Sequence, residues 1–304
     1  MKDYILVLDT WAGQLEVDEA VMFAGGLSGL VIRLNSIYGG HHMDEGFARQ
    51  WAEAEAFVRW PYFVYNPWVT GKENYYWLLA HMPKGCPAVA IDVEVRKSGY
   101  SPAMYGAQLD DFMWRIQAIW RAHIYTGEWF LAEVSPWPKA DIWWSQYPYS
   151  MYPASRITIS WDELRMKIGK LTWPPVNANK APGAVRMWQC SGDRIILPGS
   201  SRPMDINIFP GTVADLKAWL GYGGTPITPP PVNEIKTVKI IAFPWLRVRA
   251  GASTSYPIVR VLVYGTKVQV LETKYVGNDL WARLADGNWI ALFYAGQRLA
   301  VFVD

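Results

Sequence analysis

The chain has 304 residues, 18 of them Trp and 17 Tyr, and a formal net charge of +2. At 51% hydrophobic and 18% charged residues it is not disordered, coiled-coil or collagen-like, and its near-neutral charge lacks the basic excess of a nucleic-acid-binding protein. Two cysteines are too few for a disulfide scaffold or a Cys-built zinc site, so Cys86 and Cys190 are expected as buried free thiols.

In chain order, short apolar runs alternate with helical periodicity. Tyr4-Ile5-Leu6-Val7-Leu8 and Leu30-Val31-Ile32-Arg33-Leu34 predict strands. Between Asp44 and Arg59, the residues Phe47, Trp51, Ala54 and Val58 fall at helical spacing. Tyr62–Tyr65 predicts a strand, 71–82 a helix, and Ala88–Val93 a strand. Ser101 before Pro102 predicts a helix start, with Phe112, Ile116, Ile119 and Trp120 continuing one face. His123–Thr126 and Asp141–Trp144 follow as strands. Ser160-Trp161-Asp162-Glu163 has the pattern of a capping box opening a helix to about Gly169. Val185–Gln189 predicts a strand, and Thr212–Asp215 the start of a last helix ending near Leu220. Strands alternating with helices make βαβ units and a mainly parallel sheet, and their number favours a closed, TIM-like (β/α) barrel over an open sheet.

The stretch Gly221-Tyr222-Gly223-Gly224-Thr225-Pro226-Ile227-Thr228-Pro229-Pro230-Pro231-Val232-Asn233 has no periodicity and is proline-rich, the composition of a semi-rigid spacer. We place a large domain at 1–222, a linker at 223–236 and a small domain at 237–304. The large domain carries 20 Lys and Arg against 22 Asp and Glu, the small one 8 against 4. A mildly basic module tethered to a mildly acidic one suits an anionic polymer as target. In the small domain Leu246–Arg249, Ile258–Val263, Lys267–Leu271 and Leu280–Leu284 alternate polar with apolar between glycine turns, which predicts half-buried antiparallel strands in a small all-β barrel.

In β/α barrels chemistry sits at the carboxyl ends of the strands, and there acids collect. The first strand ends at Asp9, another in Asp92-Val93-Glu94, and a late segment holds Asp205-Ile206-Asn207. Residues i and i+2 of a strand share a face, so Asp92 and Glu94 are expected to enter one cleft with Asp9. Crowded carboxyls raise one another's pKa, as protonating a leaving oxygen near neutral pH requires, and glycoside hydrolysis needs carboxyls about a scissile C–O bond. The same acids also admit a divalent-cation site or no site at all. Sugar rings stack on Trp and Tyr. Tyr65, Trp68, Tyr125, Trp143 and Trp188 lie at or near the predicted strand ends, and some of them are expected to line the cleft.

The segments Leu8-Asp9-Thr10-Trp11 with Gly13-Gln14, Val31-Ile32-Arg33, Asp44-Glu45-Gly46-Phe47 with Trp51, Ile91-Asp92-Val93-Glu94, Ile124-Tyr125-Thr126-Gly127, and Trp188-Gln189 followed by Asp205-Ile206-Asn207-Ile208-Phe209-Pro210-Gly211 together resemble glycoside hydrolase family 25, the Chalaropsis-type lysozymes. The resemblance runs through most of 1–222. Cys190 stands where the family usually has an aromatic residue, Thr10-Trp11 replaces a commoner Val-Ser, and a helix is inserted near 156–170. Leu246-Arg247-Val248-Arg249-Ala250-Gly251 and Tyr264-Gly265-Thr266-Lys267-Val268 resemble a bacterial SH3-type domain, which commonly binds peptidoglycan peptides.

The resemblance implies an N-acetylmuramidase that cleaves the β-1,4 bond between N-acetylmuramic acid and N-acetylglucosamine with retention. It implies Glu94 as acid/base, Asp92 orienting the 2-acetamido group, and Asp9 and Asp205 as supporting acids; at the strand ends, Tyr65, Trp68, Tyr125, Trp143 and Gln189 are expected to bind substrate. It calls for no cofactor or metal and for a monomer acting on bacterial peptidoglycan. Two other classes remain: an amidase or endopeptidase using Cys190 with a histidine, and a non-catalytic wall-binding protein. A chitinase-like family 18 enzyme would carry an Asp where this chain has Ala90. His41-His42 is expected as an exposed loop rather than a metal site. No run of about 18 apolar residues predicts a membrane span, and Met1-Lys2-Asp3-Tyr4 opens without an apolar leader. The expected setting is therefore that of a phage-type endolysin, held in the host cytoplasm and then acting on the wall, with secretion as the alternative.

Overall fold

The structure, a computed structural model, describes residues 4–14, 18–223, 236–276, 279–294 and 297–303. The chain divides into two compact units, Met1–Pro226 and Ile227–Asp304. Most of the proposed linker, 224–235, lies outside the described residues.

The first unit is built on eight strands: β1 (Tyr4–Thr10), β2 (Leu27–Arg33), β3 (Val58–Val64), β4 (Ala88–Asp92), β5 (Arg121–Gly127), β6 (Asp141–Ser145), β7 (Val185–Ile196) and β8 (Met204–Pro210). Each pairs with the next, and β8 pairs with both β7 and β1, which closes the sheet into a barrel. The pairings from β1 to β7 are parallel, whereas β8 runs antiparallel to both neighbours. The reason is length. Only residues 197–203 separate β7 from β8, and a parallel return needs a crossover of a dozen residues or more.

Barrel strands are buried on both faces, and their alternation sorts side chains into two layers. Val7, Val31, Trp60, Tyr62, Val64, Ala88, Ala90, Tyr125, Trp143, Met187 and Phe209 pack together as the barrel interior. Leu6, Leu8, Ile32, Phe63, Tyr65, Ile91, Ile124, Trp144, Trp188 and Ile208 have the opposite parity and pack in the layer that includes helix residues such as Leu78, Phe112 and Leu164. Burying one such side chain stabilises by roughly 1.5–3 kcal/mol.

The helices are α1 (Glu19–Ala24), α2 (Phe47–Glu53), α3 (Gly71–His81), α4 (Pro102–Gln117), α5 (Trp161–Gly169) and α6 (Val213–Leu220). Capping boxes open α3 (Thr70, Glu73), α5 (Ser160, Glu163) and α6 (Thr212, Asp215), and Ser101 caps α4 with Pro102 in its first turn. Each cap satisfies backbone N–H groups that the helix itself leaves unpaired. Gly71 is required for space, because a Cβ there would lie 2.4 Å from the Gln108 carbonyl oxygen of α4. Leu216 and Leu220 of α6 join the interior layer, and Trp219 stacks on Phe209 and bonds to Asp141 at 2.8 Å.

Two boundaries differ from expectation. Val58 does not extend the α2 face. A 3-10 turn over Ala54–Ala56 ends that helix, and Val58 begins β3 opposite Gly29, where a β-branched residue fits. The helix through Phe112 and Ile116 stops at Gln117, and Ile119 and Trp120 instead bond back to the Ile116 carbonyl at 2.9 and 2.8 Å.

The second unit is all-β. Its strands are β9 (Lys236–Ile240), β10 (Trp245–Arg249), β11 (Ile258–Val263), β12 (Lys267–Val276), β13 (Asp279–Leu284), β14 (Trp289–Tyr294), β15 (Gln297–Arg298) and β16 (Ala300–Val303). They form one antiparallel sheet in the order β11-β10-β14-β13-β12-β9-β16, with β15 on β14. Val238, Ile240, Val248, Val270, Trp281, Ala282 and Ile290 are buried.

Candidate active site

A cleft of about 1140 Å³ opens at the carboxyl ends of the parallel strands, and Asp9, Asp92, Glu94 and Asp205 all line it. Asp9 shares its parity with inward-facing Val7 on β1, and Asp92 closes β4 with the parity of Ala90. Val93 turns into the outer layer, so Glu94 returns to the cleft. Asp205 arrives by a different route. It lies near the start of β8, but β8 is reversed, so that start meets the same mouth, with Asp205 directly opposite Asp9 in the register.

A hydrogen-bonded belt holds the acids from one side. Asp9 Oδ1 accepts from Gln189 Nε2 at 3.0 Å and from Asn207 Nδ2 at 2.7 Å. Asn207 Oδ1 accepts from the Trp143 indole at 2.7 Å. Gln189 Oε1 accepts from Tyr125 at 2.8 Å, Ser145 at 3.1 Å and Tyr147 at 2.5 Å. Asp205 Oδ1 accepts from the Asp193 N–H at 2.9 Å. Asp193 adopts a left-handed φ of 52°, uncommon outside glycine. Asp92 differs, because its Oδ1 is buried without a partner among the described residues. A native structure rarely leaves such an atom unpaired without a use for it.

Burial dominates the electrostatics. Desolvation raises the Asp9 carboxyl to about 7, against the two amide hydrogen bonds and with help from Glu94. Asp92 and Asp205 stand well above the ordinary carboxylate range, each from burial first and then from a neighbouring acid: Glu94 for Asp92, Asp9 for Asp205. Glu94 is also raised by desolvation, with the Arg33 guanidinium pulling the other way, yet its side chain keeps access to solvent. The site therefore favours protonated carboxyls more than water does, and of the four acids Glu94 is the one open to solvent.

The aromatic expectations divide. Trp68 lines the cleft at 55% exposure. Tyr125, Trp143 and Gln189 line its floor, with their polar atoms engaged in the belt. Tyr65 does not reach it. Val64 takes the inward parity, so Tyr65, 1% exposed, faces outward against Tyr105 and Phe112 of α4. Trp188 likewise belongs to the outer layer, its indole donating to the Gln146 carbonyl at 2.6 Å. Residues not singled out beforehand complete the cleft. Trp11 and Trp129 line it at 41% and 48% exposure, and Arg33, Tyr62, Tyr147 and Tyr152 add polar lining. Trp11 and Arg33 belong to the family-like segments Leu8–Trp11 and Val31–Arg33, whereas Trp129, Tyr147 and Tyr152 come from connections without a periodic signal.

Both cysteines are free and buried, and Cys190 bonds to the Ile206 carbonyl at 3.4 Å with its thiol pushed up by burial. It is not poised as a nucleophile. His41 is not an exposed loop residue. Its ring stacks between Phe63 and Trp77 and bridges Asn35 and Asn74 at 3.0 Å on each nitrogen. Among the described residues no group of three or more His, Cys, Asp or Glu is placed to hold a metal ion, and no helix is long and apolar enough to cross a membrane.

A family model described as the bacterial SH3 domain matches residues 246–296. No curated protein sequence matches the chain. Solved structures do. The bacterial lysozyme from Streptomyces coelicolor is 16% identical, with a TM-score of 0.54 over 74% of this chain and 100% of that one. A family 25 glycosyl hydrolase from Bacillus anthracis is 15% identical, with a TM-score of 0.51 over 72% and 95%. The spore cortex lytic enzyme from Clostridium perfringens is 14% identical, with a TM-score of 0.52 over 99% and 98%. At these identities the likeness is one of fold: the large unit has the closed β/α barrel fold of the family 25 lysozymes, and the small unit is similar to the bacterial SH3 domain.

Proposed function

We propose that the protein is a peptidoglycan hydrolase, an N-acetylmuramidase cleaving the β-1,4 bond between N-acetylmuramic acid and N-acetylglucosamine. The observation that carries this reading is the convergence of four carboxyls at one barrel mouth, between exposed tryptophans, in a cleft open enough for a polymer. The fold shared with lysozymes supports it.

Each residue's surroundings suit a role. Glu94 is the acid with both a raised pKa and access to solvent, so it protonates the leaving glycosidic oxygen and later, as carboxylate, takes a proton from water. Asp92, with an unpartnered Oδ1, holds the N–H of the 2-acetamido group. The acetamido oxygen then attacks the anomeric carbon as the C–O bond breaks, and water opens the resulting ring with net retention, a route that differs from the two-carboxylate scheme. Asp9 and Asp205, both raised by burial, put less negative charge at the mouth than free carboxyls would, which limits repulsion at the reacting centre. Trp11, Trp68 and Trp129 offer faces for sugar rings. The small unit, similar to a bacterial SH3 domain, holds the enzyme to the wall.

Mass spectrometry of digested peptidoglycan tests the reading. New reducing N-acetylmuramic acid ends are expected. New amino termini or freed lactyl groups with no reducing ends would replace the glycosidase reading with an amidase or endopeptidase.

A further inference from the structure

Beside the cleft lies a second cavity of about 430 Å³, which shares Trp11 and Asp193 with it. Its other walls include Gln14, Arg156, Arg202 and Pro203. The elements that place them are unrelated in sequence. Gln14 ends the short 3-10 turn after β1. Arg156 precedes a two-residue strand paired with the end of β7, where Ile157 sits opposite Ile195. Arg202 belongs to the β7–β8 connection.

Two features of this cavity suit a ligand. Arg156 and Arg202 have no ion-pair or side-chain hydrogen-bond partner among the described residues, although both line the same space. The Asp193 carboxylate stands at the junction with the cleft. Gln14, 4% exposed, is a fixed wall, its Nε2 donating to the Pro203 carbonyl at 2.8 Å. The lining thus presents two cations and one carboxylate acceptor. A phosphodiester supplies only acceptors and would leave Asp193 unmatched. A peptide bearing free carboxylates supplies anions for the arginine forks and N–H donors for Asp193.

We infer that this cavity is a side subsite for the acidic peptide branch of the glycan, with Arg156 and Arg202 taking its carboxylates and Asp193 its amide N–H. The inference rests on the peptidoglycan reading: a sugar polymer in the cleft carries its peptide branch past Trp11 and Asp193 into the arginine-lined space. The subsite makes the enzyme prefer peptide-bearing strands over stripped ones.

The test uses the full chain carrying Glu94→Gln, so that ligands survive, with and without Arg156→Gln and Arg202→Gln. Affinity is measured for three probes: a peptidoglycan tetrasaccharide with its stem peptides, the same tetrasaccharide with the peptides removed by an amidase, and a glycerol-phosphate oligomer. The peptide-bearing tetrasaccharide is expected to bind at least about tenfold more tightly than the stripped one, the scale of losing charge-assisted hydrogen bonds. The double arginine substitution should erase that difference and leave the stripped ligand unchanged. Equal affinity of the two sugars, an equal loss for both in the arginine variant, or no binding at all overturns the subsite. Arginine-dependent binding of the glycerol-phosphate oligomer without a peptide preference also overturns it. If the unsubstituted chain releases no reducing ends while the arginine-dependent peptide preference persists, the muramidase reading fails and the subsite stands.

Discussion

Asp9 and Asp205 are direct cross-strand partners, paired in register between β1 and the reversed β8. Opposed residues of an antiparallel pair lie on one face, and like charges there are destabilising. The fold places two acids against each other in a buried wall and answers with protons rather than with a counter-ion. Asp9 is raised to about 7, and Asp205 well above its ordinary range.

That arrangement has a pH signature. The folded chain holds a proton on Asp9 between its ordinary 3.8 and about 7, where the unfolded chain has lost it. Stability is therefore drained as pH rises through this window, and the loss is complete above it. Asp9→Asn removes the drain. We expect the variant's stability relative to the parent to be smallest near pH 4 and to grow by roughly 2–4 kcal/mol at pH 8, with activity lost. Urea unfolding at several pH values checks it, and a pH-independent difference would count against the buried-acid account.

Gln189 joins Asp9 to three hydroxyls. Gln189→Leu leaves those groups and one Asp9 lone pair without a buried partner. About 1–3 kcal/mol of stability should be lost, together with at least tenfold in turnover as Asp9 loosens. Denaturant midpoints and reducing-end assays measure the two effects. Unchanged activity would mean the belt does not position the acids.

His41 acts in the opposite direction to Asp9. Burial between two rings lowers it to about 4, with Nε2 donating to Asn74 Oδ1 and Nδ1 accepting from Asn35. Between pH 6.5 and about 4 the unfolded chain binds a proton that the folded chain refuses, so stability falls as pH drops through that window. His41→Asn should cost roughly 1–3 kcal/mol at pH 7, with the gap narrowing by pH 4. A histidine that titrates near 6.5 by NMR would sink this reading.

The exposed indole of Trp68 stabilises little in the free protein. Trp68→Ala is expected to leave the melting temperature within about 1 °C and kcat nearly unchanged. KM for soluble glycan should rise roughly 3- to 10-fold, the worth of one stacking face. A fall in kcat alone would place Trp68 in the chemistry rather than in binding.

The sequence carried the acids because strand alternation is strict. Asp9, Asp92 and Glu94 follow from parity and the carboxyl-end rule. Tyr65 fails by the same parity, since one step along β3 moves a side chain from the cleft to the outer layer. The reversal of β8 was not legible, because β7 continues to Ile196 while its apolar run breaks at Ser191-Gly192-Asp193. The short connection that forces antiparallel pairing was therefore hidden. Trp129, Tyr147 and Tyr152 lie in connections whose course tertiary packing decides, and no local pattern announces them. The burial of His41 in its connection has no local signal, because its partners Asn35, Asn74, Phe63 and Trp77 converge only in the fold.

The central claim is that Glu94 supplies the proton for glycosidic cleavage. The most direct measurement is the rate of reducing-end release from purified peptidoglycan by Glu94→Gln, on protein whose circular dichroism and unfolding midpoint match the parent. Losing a general acid costs about 10²–10⁴-fold, so release should fall by at least about a hundredfold while wall binding is retained. Release within a few-fold of the parent, with the fold intact, would contradict the account.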